Sequence, residues 1–137
     1  MNVLVDTEIL LWFQEDNPKL TPANKSILEN IANTVWVSQI SLIEVAIKLK
    51  IGKLPDFFVD TVSIAEQTVA DGFLVKSLQN EHIVAYDRVT LFEDHRDHGP
   101  SLRFDRLILA TALHEGWPVM SADRKFSWYK DQIEVIW

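Results

Sequence analysis

Short apolar runs alternate with helical stretches from one end of this chain to the other, and that alternation leaves few folds open. Val3–Val5 is brief, β-branched and followed by a helical pattern over Thr7–Gln14. Thr21-Pro22 opens a second helix over about Ala23–Asn33, and Val35–Val37 is the next strand. A helix over Ile40–Ile51 is stopped by Gly52 and Pro55, and another fits Phe58–Ala70. Asp71-Gly72 turns into a strand Phe73–Lys76, then a helix fits Asn80–Val89. The polar loop FEDHRDHGPSLR precedes a helix over Phe104–Glu115, which Gly116 ends; Pro118–Met120 and Ile133–Ile136 are the last strands. Such alternation requires crossover connections, hence a central, mostly parallel sheet with helices on both faces. No repeat or linker divides the 137 residues, so residues 1–137 form a single domain.

In sheets of this kind functional groups gather beyond the carboxyl ends of the strands. Asp6 follows the first strand and Asp123 follows Pro118–Met120, each near a small hydroxyl residue, Thr7 or Ser121. Asp6 or Thr7 also fits as a helix cap. In SQISLIEVAIKLKIG, Ser41, Glu44 and Lys48 form one polar stripe on an otherwise apolar helix. Ser41 and Glu44 match a capping box, and Glu44–Lys48 matches a surface ion pair worth only about 0.3–0.5 kcal/mol. Asp105 stands in what reads as the first turn of the helix Phe104–Glu115, where the dipole favours an acid. Taken one at a time, these placements are commonplace. Four acids at the edges of core elements are less so, because neighbouring carboxylates repel unless a cation lies among them. An oxygen-only set without cysteine suits Mg²⁺ or Mn²⁺.

The stretches VLVDTEILLW, VSQISLIEVAIKLKIGKL, HRD…FDRLILATAL and PVMSADRKF resemble the successive signatures of PIN-domain proteins, specifically the VapC-type toxins of type II toxin–antitoxin pairs. The resemblance implies a three-layer α/β/α fold and a Mg²⁺- or Mn²⁺-dependent endoribonuclease held inactive by a small antitoxin. Its acidic set falls on Asp6, Glu44, Asp105 and Asp123, as catalytic and metal-ligating residues, with Ser121 and Thr7 in support. Asp6 and Asp105 are the expected direct ligands, Asp123 completes the site, and Glu44 lies near the attacking water or a second ion. A homodimer is also expected. Two features depart from the family pattern. Residues 98–103 are inserted between His95-Arg96-Asp97 and Phe104-Asp105-Arg106, which leaves Asp97 as the alternative to Asp105, and Glu8 stands where the family often has histidine.

Thirteen basic against twenty acidic residues give a net charge of −7, which argues against general nucleic-acid binding and makes local cations necessary for an RNA substrate. Lys48, Arg103, Arg106 and Arg124 are the candidates for RNA contact; Lys50 and Lys125 also lie close to the acids in sequence. The N-terminal apolar run, Ile9–Phe13, is too short for a signal peptide or membrane span, so a cytoplasmic protein without membrane contact is expected. His95 and His98 read as solvated loop residues, and the five tryptophans as packing, with Trp12 a candidate for a partner surface. The rival functions are a catalytically silent PIN-fold partner module and an Asp-based phospho-acceptor domain, which fits Asp6-Thr7-Glu8 and SADRKF poorly.

Overall fold

A computed structural model describes residues 1–92 and 100–137, with the side chains of 100–103 excepted. Its centre is a five-stranded sheet, β1 (Asn2–Val5), β2 (Thr34–Ser38), β3 (Leu74–Lys76), β4 (Val119–Met120) and β5 (Val135–Ile136), in the order β3-β2-β1-β4-β5. Every pairing is parallel, in keeping with the central parallel sheet expected from the alternation of strands and helices. The helices are α1 (Thr7–Gln14), α2 (Pro22–Glu29), α3 (Gln39–Lys50), α4 (Thr61–Ala70), α5 (Asn80–Ala85) and α6 (Pro100–Glu115). Short 3₁₀ turns follow at Tyr86–Arg88 and Arg124–Tyr129.

The alternation of side chains along β1 divides the core into two layers. Leu4 packs with Ile108, Leu109, Val119 and Phe126 on one face, while Val3 and Val5 pack with Ile9, Leu10, Val35 and Met120 on the other. The side chains of Val3, Leu4 and Val5 are fully buried, as a strand covered on both faces demands. A smaller cluster of Leu11, Val45 and Ile64 joins α1, α3 and α4. No helix among the described residues is long and apolar enough to cross a membrane.

Several element boundaries move from those predicted, each through local capping chemistry. The α4 helix starts at Thr61 because Asp60 caps it, its carboxylate accepting from Ser63 N–H at 2.9 Å. The α3 helix starts at Gln39 because Ser38 caps it, accepting from Ile40 N–H at 3.1 Å. Ser41 therefore lies inside α3, and the capping box with Glu44 does not form. The α6 helix starts at Pro100, a residue suited to a first helical position, so Asp105 lies in the second turn and owes nothing to a helix start. His95, Asp97 and His98 lie outside the described residues, as does the side chain of Arg103.

At the other end of α3, Gly52 adopts φ +73°, and Lys53 N–H bonds back to Lys48 O at 2.9 Å. This six-to-one closure is the Schellman arrangement, for which glycine carries no steric penalty. It turns the chain sharply, so that Lys53 and the residues after it come to border the site described next.

Candidate active site

The strand order reverses direction between β1 and β4, and in parallel sheets such a switch point opens a crevice at the carboxyl ends. Val5 is paired with Met120, so the residues that leave these two strands, Asp6 and Ser121, emerge side by side. Asp6 N–H continues the ladder to Met120 O at 3.1 Å. The Asp6 carboxylate then divides its duties. Oδ1 accepts from Ile9 N–H at 2.8 Å and caps α1, while Oδ2 accepts from the Ser121 hydroxyl. Capping and site-building are therefore one arrangement.

Ser121 also accepts from Asp123 N–H at 3.1 Å, which fixes the turn beyond β4. Asp123 caps the following 3₁₀ turn through Lys125 N–H at 2.9 Å. From the other side of β1, Glu44 projects off α3 and is buried. Thr7 Oγ1 lies 3.0 Å from Ser41 Oγ and donates to Glu44 Oε1 at 3.2 Å. Lys48 Nζ meets Glu44 Oε2 at 2.8 Å, one turn further along the same helix. Asp105 completes the set from α6, half-buried in the wall of the cleft.

All four acids line one cleft of about 610 Å³. Their mutual influence is visible in their proton affinities. Burial pushes the Asp6 carboxyl up from 3.8 to about 7, against the opposing pull of its hydrogen bonds to Ser121 and Ile9, with Glu8 and Asp123 adding repulsion. Burial likewise raises Asp105 to about 8, reinforced by the charges of Glu44, Asp123 and Asp6 and opposed by Lys48. Glu8 is exposed, yet desolvation and the nearby Asp123 still raise its carboxyl. Such a set of oxygen donors, two of them reluctant to ionise without a counter-charge, suits a hard divalent cation. No three of the four bring oxygens all within 4.8 Å of one another, so side chains would adjust around an ion.

The cleft also holds residues that the spacing of motifs did not reveal. Lys19 and Lys53 line it, with Trp12, Leu54, Pro55 and Phe57 as an apolar wall. Trp12 comes from α1; the rest of the wall comes from the chain reversal at Gly52, and the Gly52-Lys53-Leu54-Pro55 sequence was the available signal. Of the predicted RNA contacts, Lys48 lines the cleft, whereas Arg124 is exposed outside it. Arg106 is a correction. It is 5 % exposed, and its guanidinium donates to Val89 O, Thr90 O, Tyr86 Oη and Tyr129 Oη at 2.9–3.3 Å. Those bonds tie α6 to the segment after α5, so Arg106 is a structural residue.

A second group of ligand-type side chains lies away from the cleft. Ligand atoms of His82, His114 and Glu115 fall within 4.8 Å of one another. Two of the three are already engaged: His82 Nδ1 accepts from Gln79 N–H at 3.0 Å, leaving its other nitrogen to donate to Glu115 Oε1 at 2.8 Å. Lys76 stands 3.1 Å from the same carboxylate oxygen. A cation there would displace both a proton and an ammonium, so this cluster is built to cross-link β3, α5 and α6.

The PIN domain family model matches residues 3–131. No curated protein sequence matches the chain. Among solved structures, VapBC2 from Rickettsia felis bound to a DNA fragment from their promoter is similar at 15 % identity and a TM-score of 0.67, over 99 % of this chain and 98 % of that one. VapBC-1 from nontypeable Haemophilus influenzae is similar at 18 % identity and a TM-score of 0.67, over 99 % and 97 %. FitAB bound to an IR36 DNA fragment is similar at 17 % identity and a TM-score of 0.61, over 98 % and 93 %. At these identities the likeness is one of fold.

Proposed function

The chain belongs to the PIN domain family, and from that premise we propose that it is a Mg²⁺- or Mn²⁺-dependent endoribonuclease, the toxin of a toxin–antitoxin pair. The observation that carries this reading is the convergence of Asp6, Glu44, Asp105 and Asp123, from four separate elements, on one cleft. Structural carboxylates caps or pair locally; they have no reason to be collected where burial and repulsion raise two of them toward neutrality.

Asp6, Asp105 and Asp123 would hold the ion. When bound, it supplies a nucleophilic water near neutral pH and offsets charge on the phosphoryl oxygens. The remaining work belongs to the chain. Ser121 and Ile9 N–H fix both oxygens of Asp6, and Lys125 N–H fixes one oxygen of Asp123. With their carboxyls raised to about 7 and about 8, Asp6 and Asp105 share protons with solvent near neutral pH, and those protons would have to leave for a cation to bind. Glu44 borders the same space, carried on α3 and braced by Thr7.

One of the similar solved structures is a toxin–antitoxin complex from Klebsiella pneumoniae, and others are VapBC assemblies, which supports a small antitoxin as the partner. A homodimer in the cytoplasm belongs to the same proposal. Purified protein should cut single-stranded or structured RNA with Mg²⁺ or Mn²⁺ and stop when a chelator is added. Unchanged RNA under all metal conditions, from correctly folded protein, would favour the silent partner module.

A further inference from the structure

The four acids of the cleft are not equivalent in what their oxygens already touch. Both oxygens of Glu44 are supplied by the chain itself, Oε1 by Thr7 and Oε2 by Lys48. The Glu44 side chain is 6 % exposed and that of Lys48 33 %, so the pair runs from the interior to the cleft surface. Among the described residues, Asp6, Glu8, Glu15, Glu44, Asp56, Asp105 and Asp123 stand around the cleft against four lysines, 19, 48, 53 and 125. A polyanionic substrate entering that surface needs a cation fixed among the acids. Lys48 is the lysine ion-paired to one of the four core acids.

An ordinary i,i+4 pair on a helix is worth a few tenths of a kcal/mol and needs neither a buried acid nor a hydroxyl brace behind it. Here Ser41, Thr7, Glu44 and Lys48 form a continuous chain of polar contacts from the core outward. Lysine side chains are flexible, and holding one in place before substrate arrives removes an entropy cost from the bound state. We propose that Lys48 binds a substrate phosphate in the cleft and that Glu44 is its positioning residue, acting through the ion pair and not as a direct metal ligand. This rests on the nuclease reading above. It changes what Glu44 is for: its carboxylate sets the place of a cation that the protein itself provides.

Three variants test this: Lys48→Met, Glu44→Gln and the pair together. Mn²⁺ binding is read by calorimetry, RNA cleavage by kcat and KM, and RNA binding by its salt dependence in Ca²⁺. Lys48→Met should bind Mn²⁺ at least as tightly as wild type. It should lose about a hundredfold in kcat/KM, and its log–log salt slope should fall by about 0.7. Glu44→Gln should keep Mn²⁺ binding and reproduce those losses, and the double variant should be no worse than either alone. Loss of Mn²⁺ binding in Glu44→Gln would make Glu44 a direct ligand and overturn the proposal. So would wild-type turnover and salt slope in Lys48→Met. If wild type itself cuts no RNA, the nuclease reading fails, and the Mn²⁺ and salt-slope comparisons still decide the role of the Glu44–Lys48 pair.

Discussion

The Ser121 hydroxyl donates to Asp6 Oδ2 across the join between β4 and β1, opposite the bond that Ile9 N–H makes to Oδ1. Two residues 115 positions apart in sequence are thus brought together by a register that pairs Val5 with Met120. The hydroxyl lowers the proton affinity of a carboxyl that burial raises. Ser121→Ala should therefore push Asp6 further up and weaken Mn²⁺ binding by about 10–100-fold, the range for partners that orient a metal ligand. Calorimetric titration at pH 7 checks this; undiminished affinity would remove Ser121 from the site.

The raised Asp6 carboxyl also predicts a pH-dependent stability in metal-free protein. A folded value of about 7 against an ordinary 3.8 means that the folded state prefers the proton. The penalty is absent below the unfolded value, grows as pH rises from there, and is complete above the folded value. Asp6→Asn keeps the shape, retains a good capping residue and cannot ionise. The apo variant should match wild type near pH 4 and gain on it up to about pH 7, by at most about 4 kcal/mol. Urea melts across that range in chelator would show it. A variant that is less stable than wild type at pH 8 would mean that the charge is not strained.

Arg106 should behave as a structural residue. Arg106→Met removes the donor that serves the carbonyls of Val89 and Thr90 and the hydroxyls of Tyr86 and Tyr129, at a cost of about 3–5 kcal/mol by analogy with breaking one side of a buried charged network. That corresponds to a fall in Tm of roughly 10–17 °C. RNA binding measured well below the melt should keep its salt slope. A reduced slope with an unchanged Tm would return Arg106 to the substrate.

The choice between Asp105 and Asp97 is separable in the same way. Asp105 lines the cleft and feels Glu44, Asp123 and Asp6. Asp97→Ala should cleave RNA at close to the wild-type rate. A defect equal to that of an Asp105 variant would give the ligand role to both.

Much of this was legible in the sequence, for identifiable reasons. The span of α1 and the existence of all five strands follow from apolar runs and punctuating residues that tertiary contacts do not override. Asp6 and Asp123 could be placed because a residue just past a parallel strand has only one place to go. Asp105 was found for the wrong local reason: its helix begins five residues earlier, at Pro100, so no dipole argument applies. Arg106 was misjudged because sequence distance to an acid says nothing about side-chain direction. One helix position carries Asp105 to the cleft, and the next, about 100° round, points at Tyr86 and Tyr129. The apolar wall from Leu54 to Phe57 depends on a chain reversal, and its contacts are not local.

The central claim is that the acid cluster holds a cation that cuts RNA, and Asp105→Asn tests it most directly. The change removes the ability to ionise, and with it an anionic ligand, at nearly constant shape, from a residue whose carboxyl burial and its acidic neighbours raise to about 8. Single-turnover cleavage of one RNA should be measured in Mn²⁺ with equal amounts of folded wild type and variant. Wild type should cleave, and the variant should be slower by at least about a thousandfold, or roughly 4 kcal/mol in the barrier. Equal rates for the two proteins would contradict the account.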